Sequence, residues 1–252
     1  MTTKQKIVRV LREPSLLGTL ARRVFLVGGV RRDPECMHMV RAWSSGGLRR
    51  LELREVFPGI DACGDILIRK PESRTVGSSV DLQELVHILA VARYTRAKRI
   101  LEIGTFDGFT ALNLAANIDD DGLVATVDLP QVRPDESAEI PNACDSTMVG
   151  SKFLGESEEK RVRQYRADST QTDWVTFGSP FDLILIDACH DYPYVRSDSL
   201  NAIKHLAPGG TVLWHDYGDF PDVSRAVDEL ARDYPIVGIR GTRLACLTKS
   251  RS

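Results

Sequence analysis

The sequence predicts an α/β protein: a doubly wound, mostly parallel seven-stranded sheet with helices on both faces and an antiparallel last strand. Two observations predict it. Short apolar runs alternate with helical stretches from residue 80 onward, which implies parallel strands joined through helices that cover both sheet faces. Five successive runs end in an acid or an acid–His pair, at Glu102/Gly104, Asp128, Asp168, Asp187 and His215/Asp216. In open sheets of this kind the ligand sits beyond the carboxyl ends of the strands. Core packing does not require acids there, so they are the main functional signal.

The elements follow in order. Ser79 or Asp81 caps a helix running to Thr95, with apolar positions Leu82, Leu85, Val86, Leu89, Ala90 and Ala92. Residues 99–103 (RILEI) form a strand, 104–108 a turn and 109–117 a helix. Strands follow at 123–128 and, more weakly, 163–167. The strongest is 181–187 (FDLILID), introduced by Gly178-Ser179-Pro180. A helix over 194–206 ends at Pro208-Gly209-Gly210, before a strand at 211–215 and a helix at 223–233. Residues 236–240 and 244–248 flank Gly241-Thr242 as a closing hairpin that adds an antiparallel edge. Residues 1–75 form an N-terminal extension with one or two weak helices in 4–42, expected to pack on or cap the site of a 76–252 domain.

Composition narrows the class. The 252 residues are 42% hydrophobic and 27% charged with net charge −2, enough for a buried core and against whole-chain disorder. The average carries no nucleic-acid signature, and none is expected as a partner. Charge is uneven: residues 1–54 hold 12 Lys+Arg against 4 Asp+Glu, so the basic excess faces a solvated surface or an anionic partner. Five scattered cysteines, Cys36, Cys63, Cys144, Cys189 and Cys246, read as reduced thiols of a cytoplasmic protein. No apolar run reaches the roughly 20 residues of a transmembrane segment. Arg22 and Arg23 interrupt the nearest approach and break any export signal.

Glu102-Ile-Gly104-Thr105-Phe-Asp107-Gly108 joins a strand to a helix. Gly104 lets backbone approach a ligand, and Gly108 lets the helix pack close to the strand. The spacing is GxxxG, not the GxGxxG of dinucleotide sites, and two glycines alone are weak evidence. The flanking acids add to it. A pyrophosphate wants a helix N-terminus free of carboxylates, so Glu102 and Asp107 suit a cationic ligand carrying an amine and a sulfonium. Asp128 can accept from two ribose hydroxyls, and Asp168-Ser169 can meet an adenine amino group.

The series ILEIGTFDGFT, ATVDLP, YRADST, FDLILIDACHDYPYV and LAPGGTVLWHDY resembles the class I S-adenosylmethionine-dependent methyltransferases over roughly residues 80–250. The resemblance implies a Rossmann-like sheet. It implies cofactor contacts from Glu102, Gly104, Thr105, Asp107, Gly108, Asp128, Asp168 and Ser169, with Ser78 near the methionine end. The Asn/Asp-Pro-Pro-aromatic clamp of base-modifying amino-methyltransferases is missing after Asp187, which disfavours nucleobase amines. Asp187 with His215-Asp216 resembles instead the metal-dependent O-methyltransferases that act on catechols, sugars and other natural products. In that resemblance Asp187, His215 and Asp216 hold a divalent cation, Mg²⁺ or Mn²⁺. His190, three residues after Asp187, is the general base, and Asp187, His190 and His215 are the catalytic set.

An aliphatic hydroxyl is a poor nucleophile at neutral pH, and a bound cation lowers its pKa. Mg²⁺ prefers oxygen ligands, whereas a histidine at 215 suits Mn²⁺, Fe²⁺ or Zn²⁺, or serves as a second base without metal. His38, His87 and His205 read as structural. The long connection 129–160 is expected to cover a small-molecule hydroxyl acceptor together with the N-terminal segment. A homo-oligomer is expected. A dinucleotide-dependent oxidoreductase and a non-catalytic binding protein that keeps the fold are the competing readings.

Overall fold

The central strands are apolar at nearly every position because both faces of their sheet are covered. In the computed structural model, which describes residues 46–75, 80–130 and 148–250, eight strands form one sheet. They are β1 (Arg50–Leu51), β2 (Arg99–Ile103), β3 (Leu123–Asp128), β4 (Val162–Arg166), β5 (Phe181–Ile186), β6 (Leu206–Trp214), β7 (Val237–Ile239) and β8 (Ala245–Thr248). The helices are α1 (Leu53–Val56), α2 (Leu82–Thr95), α3 (Phe109–Ala116), α4 (Tyr192–His205) and α5 (Pro221–Leu230). The expected helices in 4–42, Ser78, and residues 131–147 of the long connection lie outside the described residues.

The strand order is β1-β7-β8-β6-β5-β2-β3-β4, with β8 antiparallel to both neighbours and every other pairing parallel. The closing hairpin is therefore not an edge. β8 inserts between β6 and β7, and the eighth strand, β1, comes from the expected N-terminal extension. Two residues of β1 are too short for any periodic signal. Arg50 fixes them, donating from Nη1 to the carbonyls of Ile239 (3.2 Å) and Thr242 (2.9 Å). Just upstream, the Leu48 amide donates to the Tyr217 hydroxyl at 2.8 Å, and that hydroxyl donates to Asp228 at 2.6 Å.

Alternation along each strand builds two cores. Leu183 and Leu185 of β5 face Leu85, Ile88 and Leu89 of α2 and Leu112 of α3. Ile184 and Ile186 face Val195 and Ala202 of α4 and Val223, Val227 and Leu230 of α5. Burying each such branched side chain contributes about 1.5–3 kcal/mol before conformational entropy is charged against it. Asp81 caps α2, accepting from the Glu84 amide at 2.8 Å.

Several boundaries shift. The Pro208-Gly209-Gly210 stretch joins β6 through an irregular register instead of preceding it. The apolar face expected for α2 is also corrected. Leu82 and Val86 are exposed, while Glu84 is buried with Leu85, Ile88, Leu89 and Val91.

Register sets the site. Ile103 pairs with Ile186 and Val127, and Ile186 pairs with Trp214. The next residues, Gly104, Asp128, Asp187 and His215, therefore emerge side by side at one sheet edge. The ladder continues there: the Gly104 amide donates to Val127 (2.9 Å), Asp187 to Ile103 (2.9 Å) and His215 to Ile186 (3.0 Å).

Candidate active site

The loop between β2 and α3 is shaped by close approach. A Cβ on Gly104, whose φ is +102°, would lie 1.9 Å from the Asp187 carbonyl oxygen. Only glycine lets the ends of β2 and β5 meet this way. Phe106 holds a positive φ of 46°, unusual for a bulky residue. It is fixed on both sides: its amide donates to Asp128 Oδ2 at 2.9 Å, and its carbonyl accepts from Gly150 at 2.8 Å. Sequence patterning gave no sign of this strained residue. Asp128 also accepts from Leu129 through Oδ1 at 2.8 Å and stays half-buried. A carboxylate has about four lone-pair sites, so room for a diol remains.

The other loop acids face inward. Glu102 is buried and accepts from the Thr126 hydroxyl at 2.5 Å, and Thr126 meets the Thr105 hydroxyl at 2.7 Å. Burial above all, then the nearby Asp187, Asp128 and Asp107 charges, pushes the Glu102 carboxyl well above its usual range. Asp107 is committed to an ion pair with Lys152 at 2.6 Å, to Thr75 at 3.0 Å and to the Phe109 amide at 3.0 Å. The described part of the long connection buttresses the loop: Phe153 and Gly150 fill the space where a Gly108 Cβ would stand. Asp168 closes a local turn onto Thr170, and the Ser169 carbonyl accepts from the Trp174 indole at 2.9 Å.

At the adjoining strand ends, Asp187, His190, His215 and Asp216 converge. His215 is buried, with Nε2 at 2.9 Å from Glu84 Oε2 and Nδ1 at 2.9 Å from Asp187 Oδ1 and 3.3 Å from Asp216 Oδ1. Neither Nδ1 contact has hydrogen-bond geometry, so this buried nitrogen has no hydrogen-bond partner among the described residues. Asp216 sits at φ +58°, accepting from Arg243 Nη1 at 2.7 Å and facing His190 Nε2 at 2.8 Å. The His190 ring stacks on Phe220 with centroids 3.8 Å apart. Ligand atoms of Asp187, His215 and Asp216 lie within 4.8 Å of one another, the spacing a metal ion needs. With Trp214 and Val223 they line a cavity of about 10 Å³, close to the size of one water or ion.

The charges are interdependent. Burial disfavours a charged His215, but the Asp187 and Asp216 carboxylates, with Glu84, raise its pKa well above the ordinary value. Burial also opposes a charged His190, and the Asp216 hydrogen bond and charge outweigh it, so its pKa is raised. Burial opposes ionised Glu84 and Asp216 as well, yet the cations win: Glu84 is lowered to about 2, and Asp216 falls well below its usual range.

Residues 101–217 match the family whose description reads "Methyltransferase domain". That match takes in a little under half of the chain. The matched segment runs from Leu101, within β2, to Tyr217 and leaves Glu84 and Arg243 outside it. A provisionally named O-methyltransferase of Mycobacteroides abscessus is 28% identical over 153 residues, 59% of this chain and 62% of that protein. Another, of Mycolicibacterium vanbaalenii, is 26% identical over 154 residues, 61% of each chain. The matches thus span about six tenths of the length of these curated relatives.

Two solved structures are similar in fold to this chain. The O-methyltransferase TomG of Streptomyces achromogenes, involved in tomaymycin synthesis and solved with S-adenosylmethionine, superposes with a TM-score of 0.52 at 18% identity, covering 81% of this chain and 92% of TomG. The Bacillus cereus O-methyltransferase solved with S-adenosylhomocysteine gives 0.53 at 19% identity, covering 78% and 90%. At such identities the likeness is one of architecture. Among the described residues no helix is long and apolar enough to cross a membrane.

The structure gathers Asp187, His190, His215 and Asp216 in one cluster and joins Gly104–Gly108 to Asp128 through Phe106. It places Glu102, Thr105 and Asp107 beneath the loop. Glu84, Arg243 and Phe220 were missed. Glu84 alone left a trace, an acid four residues before Ile88 and seven before Val91 on a buried stripe. His87 and His205 have structural contacts, with the Gln83 carbonyl (2.6 Å) and the Ser179 hydroxyl (2.9 Å).

Proposed function

We propose that this chain is an S-adenosylmethionine-dependent O-methyltransferase acting on a hydroxyl of a small molecule, a sugar or another natural product. In this reading a divalent cation is held by Asp187, His215 and Asp216, and His190 is the general base. The observation that carries it is the adjacency of two features at one sheet edge. The Gly104–Gly108 loop with Asp128 lies beside an acid–His cluster whose buried His215 Nδ1 lacks a hydrogen-bond partner among the described residues.

Asp128 would accept the ribose hydroxyls of S-adenosylmethionine, and the Gly104 turn, free of a Cβ, would let the cofactor approach the backbone. A bound S-adenosylmethionine supplies an activated methyl group, and the cation lowers the pKa of an acceptor hydroxyl. An ionised Asp216 can only accept, so His190 Nε2 carries the hydrogen and Nδ1 is its basic nitrogen. Nδ1 would take the hydroxyl proton as the acceptor oxygen bonds to the methyl carbon and the carbon–sulfur electrons return to sulfur. Phe220 holds the imidazole ring by stacking, and the nearby acids stabilise the imidazolium that results.

A metal-free variant of this reading has one observation in its favour. His215 Nδ1 stands as close to Asp187 as a charged ring would, so an imidazolium can take the cation's place. Turnover of labelled S-adenosylmethionine against catechol and sugar acceptors, with and without chelator, separates the two. Loss with EDTA and recovery with Mn²⁺ supports the metal, and full turnover in excess chelator supports the imidazolium. No methyl transfer to any hydroxyl class, with no binding of S-adenosylhomocysteine, would remove the proposal.

A further inference from the structure

We infer that Glu84, from the first turn of α2, is the positioning residue that makes His215 a nitrogen ligand in the proposed metal site; the inference rests on the metal-centre reading above. Glu84 is 2% exposed. Its Oε2 lies 2.9 Å from His215 Nε2. An ionised carboxylate can only accept, so the hydrogen of a neutral His215 ring belongs on Nε2. That leaves Nδ1 as a lone pair directed to the side where Asp187 and Asp216 stand 2.9 Å and 3.3 Å away. Ligating histidines almost always donate their other ring N–H to a carboxylate, backbone carbonyl or water, which fixes tautomer and ring orientation.

Glu84 itself cannot turn. Its Oε1 accepts from the Arg243 backbone amide (2.5 Å) and Nε (3.2 Å), and its Oε2 accepts from Arg243 Nη2 (2.7 Å). Arg243 Nη1 continues to Asp216 Oδ1 at 2.7 Å. One guanidinium therefore locks the histidine's orienting acid and the neighbouring acid ligand into a single frame. Both residues lie outside the segment that matches the methyltransferase family, so the frame is built by α2 and the β7–β8 turn around a site on β5 and β6. A nitrogen held this firmly favours Mn²⁺, Fe²⁺ or Zn²⁺ over Mg²⁺.

Glu84→Gln tests this with almost no change in shape. Two Arg243 donors converge on Oε1 and one on Oε2, so the glutamine oxygen takes the Oε1 place and its amide NH₂ faces His215 Nε2, giving up only the bond from Arg243 Nη2. A donor there favours the tautomer with hydrogen on Nδ1, which cannot ligate. Loss of such an outer-shell partner costs about 10–100-fold in metal affinity.

The experiment is titration of the full chain with Mn²⁺ alone by calorimetry, with electron spin-echo modulation to detect ¹⁴N on the bound Mn²⁺. Wild type should show the ¹⁴N coupling. Glu84→Gln should bind Mn²⁺ at least tenfold more weakly and lose the coupling while still binding S-adenosylhomocysteine. In a His215→Ala background, Glu84→Gln should cause no further loss, which a purely structural role would not reproduce. Unchanged affinity and coupling in Glu84→Gln overturns the inference. Mn²⁺ bound to wild type without nitrogen coupling overturns it too, while leaving the metal site standing. No Mn²⁺ binding by wild type removes the metal site and the inference with it. Should Glu84→Gln lose the fold, Arg243→Lys, which keeps the charge but not the fork, must lose the coupling, and retention there overturns the inference.

Discussion

Gly104→Ala places a methyl group where β2 and β5 come closest. At φ +102° an L-residue is strained by about 1–3 kcal/mol. The added Cβ also stands 1.9 Å from the Asp187 carbonyl oxygen, a backbone atom that cannot swing aside as a side chain would. Relief requires the strand ends to separate, which weakens the bond from the Asp187 amide to the Ile103 carbonyl, now 2.9 Å, at about 1 kcal/mol. The sum is about 2–4 kcal/mol. For a domain of this size each kcal/mol lowers Tm by about 2–4 °C, so a fall of roughly 5–15 °C is expected. The same movement displaces Asp187 from His215, so Mn²⁺ and S-adenosylhomocysteine should each bind at least tenfold more weakly. Thermal unfolding and calorimetry on one preparation measure both. Wild-type Tm with wild-type affinity for both ligands would refute the close-approach argument.

Asp128→Ala removes the acceptor proposed for the ribose diol and should weaken S-adenosylhomocysteine binding at least tenfold, read by calorimetry, since each charge-assisted bond contributes about 1.5–3 kcal/mol. The rate of methyl transfer should rise with pH, because His190, the base proposed above, would work as a neutral ring. Asp216 raises its pKa against burial; a pH–rate profile reads the rising limb, and a rate flat through the histidine range would contradict the role. Asp198 provides a stability test. Burial lifts its pKa to about 6, above the unfolded value. Its penalty is absent below the unfolded pKa and grows as pH rises through the folded one. Between pH 4 and pH 8, urea unfolding should show Asp198→Asn gaining on wild type by on the order of 2–3 kcal/mol.

The runs RILEI and FDLILID were legible as strands because central parallel strands are apolar on both faces, and the acids after them were legible as strand ends. The placement of β8 was not: local pairing predicts a hairpin but cannot say which strand it slides beside, and that depends on β6 offering an open edge. β1 was hidden because two residues carry no period, and what holds them is Arg50 reaching carbonyls about 190 positions away in sequence. Asp187, His190, His215 and Asp216 were found because they follow strong strands. Glu84 and Arg243 were missed because their role exists only across α2, β6 and the β7–β8 turn. Glu102 and Asp107 looked like open loop acids. Thr126 and Lys152, both distant in sequence, draw them inward.

The most direct measurement is a crystal structure of the chain grown with S-adenosylhomocysteine and Mn²⁺, with anomalous scattering used to place the manganese. Expected are the ribose on Asp128, the ligand along Gly104–Gly108, and manganese on Asp187, His215 and Asp216 with His190 Nδ1 facing the space between sulfur and metal. S-adenosylhomocysteine bound away from this edge, or an edge that binds it while His190 and the three metal-site residues face neither ligand nor metal, would contradict the assignment of methyl transfer to this cluster.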